Sequence, residues 1–179
     1  MKNIVLSGPS SCGKTSLLLR LQEHGYTAVP ESASSVIIRN KKFGGPLFDT
    51  DPVAFQQDIF QLAYANEEYH LKYRPHGRAM FLDRALPDVL AYMRYLKVPV
   101  TNKHRIDIPL NRYNICFLLE PLSSDEDNGI RWKEDHSKIL ELLREEYAAI
   151  ECPTILVPDM GLEERVQFII DIVEGNHND

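Results

Sequence analysis

The stretch Gly8-Pro9-Ser10-Ser11-Cys12-Gly13-Lys14-Thr15, GPSSCGKT, decides the fold. It fits G-x-x-x-x-G-K-S/T at every fixed position, and it stands between an apolar run (Asn3 to Ser7) and a Leu-rich run (Thr15 to Leu21). That is the strand–loop–helix setting a phosphate-binding loop requires. Gly8 and Gly13 let the backbone wrap so that successive N–H groups point at phosphate oxygens, and the helix N-terminus adds the positive end of its dipole. Lys14 reaches the β- and γ-phosphates, and the Thr15 hydroxyl is placed to ligate Mg²⁺. Gly8, Ser10, Ser11, Cys12, Gly13, Lys14, Thr15 and Ser16 are the expected ATP-binding residues. Cys12 lies where a helix N-terminus can lower a thiol pKa; the alternative is a small residue tolerated at a free position.

Outward from this loop, short apolar runs alternate with helical patterns. Strands are predicted at Asn3–Ser7, Tyr26–Val29, Ala79–Leu82, Tyr113–Leu119 and Thr154–Val157. Asp51-Pro52 supplies an N-cap and first-turn proline for a long helix towards Lys72, on which Phe55, Ile59, Leu62 and Ala63 form a core-facing stripe. Further helices are expected from Leu86 to Leu96, from His136 to Ile150 and from Leu162 to Val173, while Val98 to Asn111 fits no pattern. Strands that are continuously apolar, each followed by a helix, imply a parallel sheet covered on both faces. The expectation is an α/β three-layer P-loop fold with five strands, one domain over residues 1–174 and a frayed tail at 175–179.

Composition narrows the function. The chain has 179 residues, with 20 Lys plus Arg against 26 Asp plus Glu and a formal net charge of −6. A general nucleic-acid binder normally carries a basic excess. No stretch approaches the ~18–20 apolar residues that span a bilayer, and the apolar run at the N-terminus ends at Leu6, short for a signal peptide. Cys12, Cys116 and Cys152 form no CxxC pair and no Cys/His cluster. This argues against a disulfide framework or structural zinc, and for a reducing, cytoplasmic setting.

A phosphate loop states what is bound, not what is done with it. The run Met80-Phe81-Leu82 ends in Asp83-Arg84. An acid at a strand end is where a second Mg²⁺-organising group is needed, and an Arg beside it can offset charge on a transferring phosphoryl group. Capping of the following helix is the alternative role for Asp83. A GTP switch would need Asn-Lys-x-Asp; the nearest string is Asn102-Lys103-His104-Arg105, with Arg in place of the acid. On the long helix, Gln57, Phe60, Gln61 and Tyr64 share a face distinct from the core stripe.

Phe81 to Tyr92, FLDRALPDVLAY, resembles the third-strand motif of thymidylate and deoxynucleoside kinases. Taken in order, GPSSCGKT, VPES (Val29–Ser32), DPVAFQ (Asp51–Gln56), FLDRALPD and DNGIR (Asp127–Arg131) are similar to the NadR-like P-loop family of AAA-domain ATPases and kinases, which includes the ribosylnicotinamide kinase domain. The resemblance implies strand order 2-3-1-4-5, as in nucleoside monophosphate kinases, with Asp83 beside Lys14 and Thr15. It implies Glu31 as a base near an acceptor hydroxyl, although Asp83 meets the same requirement. It also implies acceptor contacts from Gln57, Phe60, Gln61 and Tyr64, and a lid over about 121–133 that brings Arg131 onto the phosphates, hinged near Trp132.

The expectation is a Mg²⁺-ATP-dependent phosphotransferase acting on a small-molecule hydroxyl or phosphate acceptor, nucleoside-like, with Lys14, Asp83, Arg84, Glu31 and Arg131 as catalytic residues. The rival is an ATP-binding NTPase or regulator without an acceptor. A homodimer is compatible with either.

Overall fold

The computed structural model describes residues 2–73, 77, 79–122 and 134–175. Its strands are β1 (Lys2–Ser7), β2 (Thr27–Val29), β3 (Ala79–Asp83), β4 (Ile115–Leu119) and β5 (Thr154–Val157). The helices are α1 (Lys14–Glu23), α2 (Ser32–Phe43), α3 (Pro52–Lys72), α4 (Leu86–Tyr95), α5 (Asn102–Ile106), α6 (His136–Ala149) and α7 (Leu162–Glu174). All strand pairs are parallel and the sheet order is β2-β3-β1-β4-β5, as the sequence resemblance implies.

β1 occupies the centre, and Ile4, Val5 and Leu6 are each 0% exposed. Each such side chain contributes roughly 1.5–3 kcal/mol relative to exposure. Because side chains alternate across a strand, Ile4 and Leu6 pack with Leu17 and Leu21 of α1 and Val166 and Ile169 of α7. Val5 faces the other layer, with Phe55 and Ile59 of α3, Leu90 of α4 and Leu143 of α6. Pairing of β1 with β3 sets Leu6 opposite Asp83, and this register carries the site described below.

Local signals fix the helix that borders the site. The Asp51 carboxylate accepts the Ala54 N–H at 3.0 Å and Pro52 opens α3, as its sequence predicts. Two helices have no counterpart in the sequence reading. α2 buries only Val36 and Asn40 and leaves Ile38 and Phe43 exposed, so it shows no apolar stripe. α5 is five residues long and buries none of them. Among the described residues no helix is long and apolar enough to cross a membrane.

Candidate functional site

The loop between β1 and α1 is bent by residues in left-handed backbone, Gly13 at φ 84° as N-cap of α1 and Ser11 at φ 61°. Gly8, at φ 144°, is required for a second reason. A Cβ there would sit 2.7 Å from the Leu119 carbonyl oxygen and 2.9 Å from Cys12 Sγ. The Lys14 ammonium is 7% exposed and folds back on the loop, donating to the Gly8 carbonyl at 3.2 Å and to Cys12 Sγ at 3.2 Å. Burial, and then the neighbouring Arg84 charge, lowers its pKa from the ordinary lysine value.

The Thr15 hydroxyl donates to Asp83 Oδ2 at 3.2 Å across the β1–β3 pair. The second oxygen, Asp83 Oδ1, is buried and has no hydrogen-bond partner among the described residues. Such an orphan acceptor normally costs about 1–3 kcal/mol. An oxygen-seeking cation resolves that cost, so Thr15 and Asp83 fit Mg²⁺, which takes one or two protein oxygens and fills its shell with water and phosphate. Among the described residues no group of three or more His, Cys, Asp or Glu side chains is placed to hold a metal ion. Burial raises the pKa of the Asp83 carboxyl, and Lys14 opposes the rise.

Arg84 adopts left-handed backbone, φ 63°, and its N–H donates to the Leu6 carbonyl at 2.9 Å. Such a conformation in a non-glycine residue costs of order 1–3 kcal/mol and persists where its surroundings hold it. The turn brings Asp83 and Arg84, neighbours in sequence, into the same cleft. Arg84 Nη1 donates to the Gly8 carbonyl at 3.0 Å, Nε pairs with Glu31 Oε1 at 2.8 Å, and the guanidinium carbon lies 4.9 Å from the centre of the Tyr92 ring. Glu31, at the start of α2, also accepts from the Ser34 hydroxyl at 3.1 Å. Lys14, Thr15, Asp83, Arg84 and Glu31 therefore meet in one place.

These residues line one end of a cavity of about 910 Å³ that also holds Ser10, Ser11, Gly13 and Ser16. Gly8 contributes its carbonyl to Lys14 and Arg84 without lining the cavity. Cys12 is turned away as well: it is 0% exposed, and its sulfur accepts from Lys14. It is a packing residue beneath the loop, not a cavity-lining contact for nucleotide.

The far end of the cavity is lined by a different set of α3 residues from the expected acceptor face. Gln57, Phe60, Gln61 and Tyr64 do not line it; Phe55, Gln56, Ile59, Ala63, Asn66 and Glu67 do. Gln57 and Gln61 are exposed. Phe60 packs into the core with the His104 ring 4.7 Å away, and Tyr64 lies beneath Arg112 at 5.9 Å. The stripe assigned wholly to the core is shared between core and cavity, and one residue of helix, about 100° of rotation, separates Gln56 from the exposed Gln57. The proposed lid residues Arg131 and Trp132 lie outside the described residues, as does all of 123–133.

Several site residues carry no motif. Glu67, 4% exposed, accepts from Leu86 N–H at 3.0 Å and Tyr113 hydroxyl at 2.7 Å, and pairs with Arg112 at 2.8 Å; burial nevertheless raises its pKa. Glu134 accepts from the Ser10 N–H and, at 3.0 Å, from the Tyr92 hydroxyl. Arg165 of α7, 2% exposed, braces the phosphate loop by donating to the Cys12 carbonyl at 2.7 Å and the Glu120 carbonyl at 3.1 Å. An arginine beside the apolar stripe of α7 is the one trace of this in the sequence.

Residues 3–165 match the AAA domain family. No curated protein matches the chain in sequence. Among solved structures it is similar to NadR protein in complex with NR, at TM-score 0.75 and 18% identity over 99% of this chain and 51% of that one. The chain thus spans about half the length of NadR. It is similar also to deoxyadenosine kinase from M. mycoides, solved with dCMP and dCDP, at TM-score 0.67 and 13% identity over 97% and 99% of the two chains. Thymidylate kinase from Candida albicans aligns at TM-score 0.55 and 11% identity over 99% and 95%. These likenesses show a shared P-loop kinase fold with strand order 2-3-1-4-5.

Proposed function

The chain belongs to the AAA domain family, and from that premise we propose that it is a NadR-like P-loop kinase, Mg²⁺-ATP-dependent and working in the cytoplasm, that phosphorylates a hydroxyl of a nucleoside-like small molecule. One observation carries this reading: the cavity at the phosphate loop continues without a break into a second compartment between α2, α3 and α4. An NTPase without an acceptor has no use for that second compartment.

The charges of the second compartment favour a hydroxyl over a phosphate acceptor. Beyond Lys14 and Arg84, Lys41 is the one cation among the described lining residues, whereas Glu31, Asp49 and Glu67 are acids. A phosphorylated acceptor calls for Arg or Lys clamps. The remaining lining, Ile37, Phe48, Phe55 and Ile59, suits an apolar ring, and Gln56 suits its polar edge. The Gln56 side chain is 4% exposed yet lines the cavity, so its amide is placed to pair with a polar edge of a ligand.

In this reading Lys14 and the loop N–H groups hold the β- and γ-phosphates. Bound Mg²⁺ would be held by Thr15 and Asp83, and supplies charge neutralisation at the phosphate oxygens. Glu31 orients the acceptor hydroxyl and takes its proton as the oxygen attacks the γ-phosphorus and the bond to the ADP oxygen breaks. Arg84 offsets charge in the transition state. ATP turnover measured with and without a panel of ribo- and deoxyribonucleosides tests the proposal. ADP release stimulated by one nucleoside supports it, and hydrolysis indifferent to every nucleoside points to the NTPase instead.

A further inference from the structure

Two carboxylates flank Arg84, and the chemistry above uses only one. Glu31 approaches from the cavity mouth, with its side chain 30% exposed. Asp88 lies behind, 1% exposed, with Oδ1 3.6 Å from Arg84 Nη1. Asp88 Oδ1 also accepts from the Ser7 hydroxyl at 2.6 Å, and Oδ2 accepts from the Ala85 N–H at 3.1 Å and the Tyr147 hydroxyl at 2.5 Å. Capping of α4 accounts for the Ala85 contact alone. The other contacts tie the end of β1, α6 and Arg84 to a single buried charge.

We propose that Asp88 is a positioning residue that holds Arg84 at the phosphate end of the cavity throughout turnover. This rests on the transfer chemistry proposed above. When Glu31 accepts the hydroxyl proton its negative charge is gone, and with it the ion pair at 2.8 Å. Asp88 takes no part in that transfer and is held by the Ser7 and Tyr147 hydroxyls and the Ala85 N–H, so it stays in place beside Arg84. Arg84 then keeps one carboxylate partner while the phosphoryl group passes. Ser7 immediately precedes Gly8, whose carbonyl accepts from Arg84, so the Asp88 network also sets the loop against the guanidinium.

A double-mutant cycle on ADP formation tests this, using the wild type, Asp88→Asn, Arg84→Gln and the double variant, with ATP, Mg²⁺ and the most active nucleoside of the panel. Asparagine keeps the size of the side chain and an oxygen for the Ala85 N–H, but not the charge. In the protein that retains Arg84, Asp88→Asn lowers kcat about tenfold to a hundredfold and moves the KM for ATP by less than about twofold. In the Arg84→Gln background it has no further effect. An equal fold loss in both backgrounds, or wild-type kcat for Asp88→Asn, overturns the proposal, because a purely structural role does not depend on Arg84. Tyr147→Phe, outside the cavity, repeats the cycle if Asp88→Asn does not fold: a loss of several-fold that vanishes without Arg84 supports the proposal, and an additive loss overturns it. If ATP turnover ignores every nucleoside, the kinase reading fails separately, and the same cycle run on that hydrolysis still decides the role of Asp88.

Discussion

The two ends of the cavity are built on opposite plans. At the phosphate end the charged groups are already paired with protein: Lys14 with loop carbonyls, Arg84 with the Gly8 carbonyl, Glu31 and the Tyr92 ring. At the far end, the proposed acceptor end, the lining is mostly apolar, with the buried amide of Gln56 among Ile37, Phe48, Phe55 and Ile59. Lys14 must leave the loop to reach a phosphate, but Arg84 is already fixed by its partners, so for it little reorganisation remains when charge develops there. The second end sets one amide in an apolar wall, and a site built to hydrogen-bond a ligand discriminates strongly against analogues that lack the matching group. In the proposed reaction the first end would accelerate transfer and the second would select what receives it.

Substitutions can break or sharpen that contrast. The largest effect is expected at Lys14. Lys14→Ala removes the phosphate-end cation and lowers kcat/KM by about 10³-fold or more, the scale at which single charged groups act in phosphoryl transfer, as read in a coupled ADP assay. Glu31→Gln comes next, lowering kcat by about 10²-fold if Glu31 is the base, since general bases contribute roughly 10²–10⁴; unchanged turnover would shift that role to Asp83. At the acceptor end, Gln56→Ala raises the acceptor KM about tenfold, the worth of a hydrogen bond of ~1.4 kcal/mol, and leaves the KM for ATP alone. Gln57→Ala, one residue further round the helix, changes neither constant. The smallest effect belongs to Asp51→Ala, which removes the cap of α3 and costs about 1 kcal/mol of stability in a denaturant titration. Its kcat should match the wild type, because the acceptor wall is held by packing along α3 rather than by its first turn.

The same contrast explains what was legible in the sequence. The phosphate end depends on local backbone geometry, and glycines at fixed spacing between an apolar run and a helix specify it within a few residues. Asp83 was legible too, because a strand that ends in an acid is a local pattern. The acceptor end depends on which side of α3 meets α2 and β3, and periodicity alone does not assign a buried stripe to core or to cavity. Phe55 and Ile59 serve both, so the spacing pointed to a face that does not line the cavity. Asp88, Glu67 and Arg165 escaped for a different reason. Each is a buried polar group with a partner far along the chain, Tyr147, Arg112 and the Cys12 carbonyl respectively; a short window holds Arg84 with Asp88, but none contains those distant partners. α2 was missed because a helix that mainly roofs a cavity buries too little to show an apolar stripe.

The register that sets Leu6 opposite Asp83 has a consequence for how such a protein can change. The proposed donor machinery sits at the tips of two adjacent strands, yet the intervening chain from Glu31 to Glu67 supplies most of the far cavity wall, the proposed acceptor wall. The sheet fixes Thr15 against Asp83 whatever that intervening segment looks like. Insertions, rotations of α3 or new side chains between the two tips can therefore retune the choice of acceptor without disturbing the transfer geometry. Selectivity and chemistry are mutationally separable here, and a lineage can explore new acceptors while its catalytic centre stands still.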